Sequence, residues 1–281
     1  MDSGAPHAPR RQATLLESVE EIRDRVRAGK TRKEVGLGPN PGAEASQDTK
    51  PFRPTMRPGM ALLYVLDDGD DSGELIRLRA GTFVIGRVDG DLTIPHDNGI
   101  SGRHAEIGRR LENGATVWYL KDLQSTNGTF VRASTVILHH DQELLVGGSR
   151  FRFESAEPVR PELIANTTRK YESISKGVIP ETSAQAPAAL VEVASGRESR
   201  RFPLTAAEQW IGRDPRQCAV VVDDPTVDRR HARVYRDEKN RRWVVANEGS
   251  KNGLWARAQE VALGRGGFFQ CGEQRFLFKV L

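Results

Sequence analysis

Three short segments of this sequence gather hydrogen-bond donors and offer almost nothing that could act as a base. Ile85-Gly86-Arg87 is followed by Ser101-Gly102-Arg103-His104 and then by Ser125-Thr126-Asn127-Gly128. Each lies at the end of a β-type run: Arg87 closes TFVIGR, Ser101 to His104 lead into HAEIGR, and Ser125 to Gly128 follow TVWYLKD. Loops at one end of a β-sandwich lie side by side, so the three segments should converge. They would bring together two arginines, two or three hydroxyls and an Asn amide. Such a set suits a bound anion. A phosphorylated side chain carries roughly −1.5 to −2 charges and three acceptor oxygens. A guanidinium fork donates two parallel hydrogen bonds to such oxygens.

The same residues argue against catalysis. His104 is the one general base in the set, and Ser101-x-x-His104 has neither a strained G-x-S-x-G elbow nor a third member. The sequence has no P-loop, H-E-x-x-H or other metal-ligand spacing. Cys218 and Cys271 cannot form a disulfide framework or a four-cysteine zinc site, and both read as small buried residues. No enzyme activity, metal or cofactor is expected.

The elements that must position these loops occur twice. Ile211-Gly212-Arg213 repeats the first segment 126 residues later, Arg230-His231-Ala232 repeats Arg103-His104-Ala105 at 127, and Ser250-Lys251-Asn252-Gly253 repeats the third at 125. Around them run short apolar stretches broken by Gly, Asp and Asn: ALLYVL, ELIRL and ELLVGGSRFRFE, then AALVEVA, QWIGR, RWVVANE and FLFKVL. Short strands at this spacing argue an all-β sandwich or barrel. The chain of 281 residues thus divides into two β-domains, 60–157 and 188–281, each of about 95 residues and large enough for its own core. The linker 158–187 separates them. In the tail, 1–59, Leu15, Val19, Ile22 and Val26 form one apolar stripe, which predicts an amphipathic helix over 14–28. Residues 29–59 are rich in Gly, Pro and polar residues and read as a flexible linker. The 37% hydrophobic share fits two compact domains with largely unstructured tail and linkers.

The order IGR, S-x-x-H, STNGT resembles the forkhead-associated (FHA) domain, and the chain resembles a tandem pair. That resemblance implies two eleven-strand β-sandwiches that bind phosphothreonine peptides through the loops at one end. Carried over to these positions, Arg87 grips the phosphate, Ser101 donates its hydroxyl, Thr126 lies near the phosphate and Asn127 bonds the peptide backbone. Gly102 stands where family members often have Arg or Asn, and Arg103 beside it adds charge. His104 resembles the histidine that ties loops together, while Gly86 and Gly128 allow tight turns.

The second copy departs from the pattern. Arg213, Arg229, Arg230, His231, Ser250 and Asn252 are in place, but Asp228 replaces the serine and Lys251 the threonine. A carboxylate repels a phosphate and donates nothing. Arg213, Arg229, Arg230 and Asn252 therefore make up a degenerate second site, in which Arg229 compensates for Asp228 or the arginines pair with it. The resulting expectation is an adaptor whose first domain reads phosphothreonine on a partner protein, with a Ser/Thr kinase or its substrates as partners. The second domain then acts as a degenerate or phosphate-independent module.

A phosphate-independent assembly protein is the alternative. A nucleic-acid binder is a weaker one, raised by the net charge of +4 and by the run RRHARVYRDEKNRRW. Lys and Arg exceed Asp and Glu by 3 in residues 1–59 and by 5 in 188–281, whereas 60–157 carries an excess of 5 acids. The proposed reader is thus acidic overall, and its positive charge is local. Thr14, Thr49, Thr55, Thr167, Thr168 and Thr182 lie in the tail and linker, where a phosphorylated segment could occupy the chain's own site at high effective concentration. No apolar run approaches the ~20 residues that cross a bilayer. MDSGAPHAPRRQATLL lacks the apolar core of a secretory signal, so a cytoplasmic location is expected.

Overall fold

The computed structural model describes residues 14–16, 60–66, 73–155, 187–194 and 196–281. The strands in chain order are β1 (Thr14–Leu16), β2 (Ala61–Leu66), β3 (Gly73–Leu78), β4 (Thr82–Gly86), β5 (Leu92–Thr93), β6 (Ala105–Glu112) and β7 (Ala115–Asp122). They continue with β8 (Thr129–Leu138), β9 (Glu143–Val146), β10 (Ser149–Glu154), β11 (Ala189–Ala194), β12 (Arg197–Pro203), β13 (Glu208–Gly212) and β14 (Val220–Val221). The last six are β15 (Ala232–Asp237), β16 (Arg242–Asn247), β17 (Leu254–Ala258), β18 (Glu260–Ala262), β19 (Gly266–Cys271) and β20 (Gln274–Val280).

The expected all-β class is what the structure has. Thr14, Leu15 and Leu16 are a strand paired with β8 and not the start of a helix, because the ladder satisfies backbone groups that an isolated helical turn leaves open. The rest of the expected helix 14–28, the segment 29–59 and all of the linker 158–187 except residue 187 lie outside the described residues.

Two compact units form. One takes Leu16–Val131 and Ala258–Leu281, the other Met1–Leu15 and Arg132–Arg257. In the first unit, β3-β2-β20-β19-β8 form one sheet and β18-β7-β6-β4-β5 the other. Their inward residues, among them Leu63, Ile85, Ile107, Leu120, Phe276 and Phe278, make one apolar core. The second unit repeats this plan with β12-β11-β10-β9-β17 and β8-β16-β15-β13-β14, around Leu144, Phe151, Phe153, Leu190, Val234 and Val245. Alternation explains the burial: in SRFRFE, Phe151 and Phe153 point inward and Arg150 and Arg152 outward. The turn between β6 and β7 is Asn113-Gly114 with φ of 49° and 78°, the pairing that two-residue hairpins favour.

The expected boundaries, 60–157 and 188–281, are therefore not those of the folded units. The closing strands are exchanged: β9 and β10 complete the second unit, and β19 and β20 complete the first. The two closing hairpins have the same design. Gly147 and Gly272 both turn with left-handed φ, 61° and 58°. Each packs closely on an aspartate, Asp224 and Asp97 respectively, where a Cβ would meet a carboxylate oxygen at 2.4 or 2.5 Å. Asp224 accepts from Gly148 N at 2.7 Å, and Asp97 from Glu273 N at 2.7 Å and Gln274 N at 3.3 Å. Apolar pattern alone thus lets either hairpin close either unit.

Charge distinguishes the two. Beside β11 and β12, Arg152 meets Glu198 at 2.5 Å, Arg201 pairs with Glu154, and Ser149 donates to Glu192 at 3.1 Å. Glu143 also holds Arg257 at 2.9 Å. Single half-exposed pairs of this kind contribute only ~0.2–1 kcal/mol each.

Candidate functional site

In the first unit the three segments meet as the spacing requires. Gly86 ends β4, and a Cβ there would lie 2.3 Å from the carbonyl oxygens of both Asp89 and Gly102. Close backbone approach, not a left-handed turn, therefore requires this glycine. Arg87 N donates to Ser101 O at 2.9 Å, so the loop after β4 is laced to the loop before β6. The third loop joins them where Thr126 N donates to Ser101 Oγ at 3.0 Å. Asn127 Nδ2 donates to Gly99 O at 2.9 Å. Gly128 does adopt the left-handed turn, with φ of 83°.

His104 is fully buried and holds all three loops. Its Nδ1 accepts from Ser101 N at 3.0 Å and its Nε2 lies 3.2 Å from Gly128 O. An acceptor at Nδ1 leaves Nε2–H to donate, so the ring is neutral and structural. Asp122 plays a matching part: it accepts from Ser125 N, Ser125 Oγ and Thr129 Oγ1 at 3.0, 2.5 and 2.7 Å. Ser125 is buried and its Oγ accepts from Gly128 N, which makes it a turn residue.

The donors face outward from this frame. Thr126 and Asn127 are exposed, and Ser101 is half-buried with its hydroxyl hydrogen still to give. Arg87 is half-buried. Its Nη1 donates to Asn98 Oδ1 at 3.1 Å, while its Nε is buried with no hydrogen-bond partner among the described residues. A buried donor without an acceptor costs about 1–3 kcal/mol. Arg103 is turned elsewhere: it forms an exposed ion pair with Asp89 at 2.9 Å. The sequence does not single out Asp97, Asn98 or Asp122. The one available signal was the run of polar residues at His96-Asp97-Asn98.

The second unit has the same frame with different contents. Asn252 Nδ2 donates to Thr226 O at 2.7 Å, as Asn127 does to Gly99. His231 accepts from Asp228 N at 3.3 Å and lies 2.9 Å from Gly253 O. Burial lowers its pKa below the ordinary 6.5, although the Gly253 bond opposes this. Asp228 Oδ2 accepts from Lys251 N at 2.8 Å, which is the bond Ser101 Oγ makes with Thr126. The carboxylate thus keeps the loop joined and supplies no donor. None of the ion pairs among the described residues involves Asp228, so the arginines do not pair with it. Arg213 and Arg229 are exposed, and Arg230 lies over the Trp210 ring at 3.4 Å, a cation–π contact.

Half of the arginines in the run 229–243, Arg233, Arg236 and Arg242, pair with acids. Arg233 pairs with Glu208 and Glu248, both at 3.0 Å, and Arg242 with Asp237 at 3.1 Å. Cys218 and Cys271 are buried free thiols, and burial raises both pKa values. Groups of three or more His, Cys, Asp or Glu able to hold a metal do not occur among the described residues, and no helix there is long and apolar enough to cross a membrane.

Comparison with known proteins finds the FHA domain twice, over residues 83–153 and 210–263. Both matches run through the points where the chain passes from one unit to the other. The FHA domain-containing protein FhaB of Mycobacterium tuberculosis, in strains CDC 1551 / Oshkosh and H37Rv, is 35% identical over 76 residues, which is 27% of this chain and 46% of FhaB. The chain therefore spans about half the length of the curated relatives it matches. One solved structure, from a structural and functional analysis of phosphothreonine-dependent FHA domain interactions, is 33% identical and covers 33% of this chain and 91% of its own, with a TM-score of 0.19. Mycobacterium tuberculosis EmbR in complex with a low-affinity phosphopeptide is 28% identical over 34% of this chain and 25% of its own, with a TM-score of 0.21.

Proposed function

We propose that this chain, in which the FHA domain is matched twice, is a phosphothreonine-dependent adaptor with its first copy as the reader. The observation that carries this is a difference within the shared hydrogen-bond frame: Ser101 in the first copy, Asp228 in the second. Ser101 accepts from the loop and still has a hydrogen for a phosphate oxygen. Asp228 accepts from the loop and adds negative charge. Arg87, Ser101, Thr126 and Asn127 hold the phosphothreonine and its backbone, and Arg103 adds charge only on leaving its ion pair with Asp89.

The second copy, with Arg213, Arg229, Arg230 and Asn252 around Asp228, is a degenerate or phosphate-independent interaction module. The partner is a protein phosphorylated on threonine by a Ser/Thr kinase, and the adaptor works in the cytoplasm. Occupation of the reader by a phosphorylated threonine of its own tail or linker would regulate it. Thr14 is a described strand residue, whereas Thr49, Thr55, Thr167, Thr168 and Thr182 lie outside the described residues.

The test uses the full chain, since the first unit includes residues 258–281. A fluorescent degenerate phosphothreonine peptide pool should bind, and its dephosphorylated form should not. Arg87→Ala removes a charged hydrogen-bond donor of about 1.5–3 kcal/mol, a loss of roughly 10- to 150-fold. Unchanged binding in that variant would overturn the assignment.

A further inference from the structure

Resting on that reading, we infer that Asn98 is a positioning residue for phosphate capture, and that its replacement by Pro225 is a second reason why the other copy is no reader. The two loops correspond residue for residue. Asp97 Oδ1 accepts from Gly99 N at 2.7 Å, and Asp224 Oδ1 from Thr226 N at 2.7 Å. Asn127 donates to Gly99 O, and Asn252 to Thr226 O. The residue between Asp and Gly or Thr is Asn98 in one loop and Pro225 in the other.

The two phosphate-grip arginines differ accordingly. Arg87 is half-buried, and its Nη1 is held by Asn98 Oδ1 at 3.1 Å. That contact uses one guanidinium nitrogen and leaves Nη2 and the buried Nε with hydrogens to donate. Arg213 is exposed, and no hydrogen bond or ion pair fixes its guanidinium among the described residues. Pro225 has no side-chain acceptor and cannot supply one.

A long arginine side chain carries rotamer entropy, which a free side chain loses when ligand binds. Asn98 imposes part of that ordering beforehand, because its loop is fixed by Asp97, which is itself bonded to Glu273 N and Gln274 N. Preorganisation of this kind strengthens binding without a new contact to the ligand. Asn98 therefore acts through Arg87.

The experiment is titration of the full chain and its Asn98→Ala variant with the degenerate phosphothreonine peptide pool, read alongside the Arg87 Nε–H resonance by NMR. Loss of this hydrogen bond, and with it part of the ordering of Arg87, should weaken binding about 3- to 10-fold. The Arg87 Nε–H heteronuclear NOE should fall towards that of Arg213, while the backbone amides of Gly86, Ser101 and Thr126 keep their shifts. That split separates positioning from general loop damage. In the second copy, Asp228→Ser with Pro225→Asn should bind the pool more tightly than Asp228→Ser alone.

The inference is overturned if Asn98→Ala binds within twofold of the natural chain, or if the Arg87 side chain is equally ordered in both. A second-copy double variant no tighter than the single one overturns it as well. If Arg87→Ala binds normally, the reading itself fails. A loss with Arg87→Ala and none with Asn98→Ala removes only the role of Asn98.

Discussion

Phe278 and Phe151 give the sharpest prediction, because the exchange of closing strands reverses what each should do. Phe278 belongs to the second copy of the sequence, yet it is fully buried in the core with Leu63, Ile85 and Ile107, with its ring 5.6 Å from that of Trp118. Phe151 belongs to the first copy, yet it lies with Leu190, Val234 and Val245, 6.2 Å from the ring of Phe202. Truncating a buried phenylalanine to alanine costs about 3–5 kcal/mol, from lost transfer energy and the cavity left behind. Domain stabilities are only ~5–15 kcal/mol, so this is a large share. Phe278→Ala should therefore speed exchange of the slowest amides in 105–122 by roughly 10²- to 10⁴-fold and leave those in 232–247 near their natural rates. Phe151→Ala should do the reverse. Hydrogen exchange read by mass spectrometry on the full chain resolves both segments. If Phe278→Ala instead loosens 232–247 and spares 105–122, the strands are not exchanged and the reasoning fails.

Two further predictions concern the loops. Gly86→Ala places a Cβ 2.3 Å from two carbonyl oxygens, so it should destabilise the first unit by ~1–3 kcal/mol and weaken phosphopeptide binding, seen as a lower denaturation midpoint and a raised Kd. Burial lowers the pKa of His231, so below pH ~6.5 the unfolded state binds a proton that the folded state refuses. Stability of the second unit should thus be full above that value and fall, by up to ~1.4 kcal/mol per pH unit, as pH drops towards the folded pKa. Urea titrations between pH 7 and 5, followed by exchange in 232–247, should show this slope in the natural chain and lose it in His231→Ala.

The meeting of the three loops was legible in the sequence, because Arg87, Ser101, Thr126 and Asn127 are polar residues at strand ends and His104 hydrogen-bonds to Ser101 and Gly128. The two-copy β architecture was legible in the same way, from period-2 runs and repeated landmarks. The exchange was not. SRFRFE and QRFLFKV put the same pair of phenylalanines inward, so pattern cannot say which copy each closes, and contacts such as Arg152 with Glu198 are seen only in the fold. Nor was Asn98, since a polar residue beside a loop aspartate reads as a turn until its partner Arg87 is seen across 11 residues. Of the segment 14–28 expected as a helix, Thr14 to Leu16 pair with β8, and the rest lies outside the described residues.

The most direct measurement of the central claim is calorimetric titration of the full chain with one phosphothreonine peptide selected from the pool. The account predicts one peptide bound per chain, binding lost in Arg87→Ala, kept in Arg213→Ala, and absent for the unphosphorylated peptide. Two equivalents per chain, binding that survives Arg87→Ala but not Arg213→Ala, or equal affinity for the unphosphorylated peptide would contradict it.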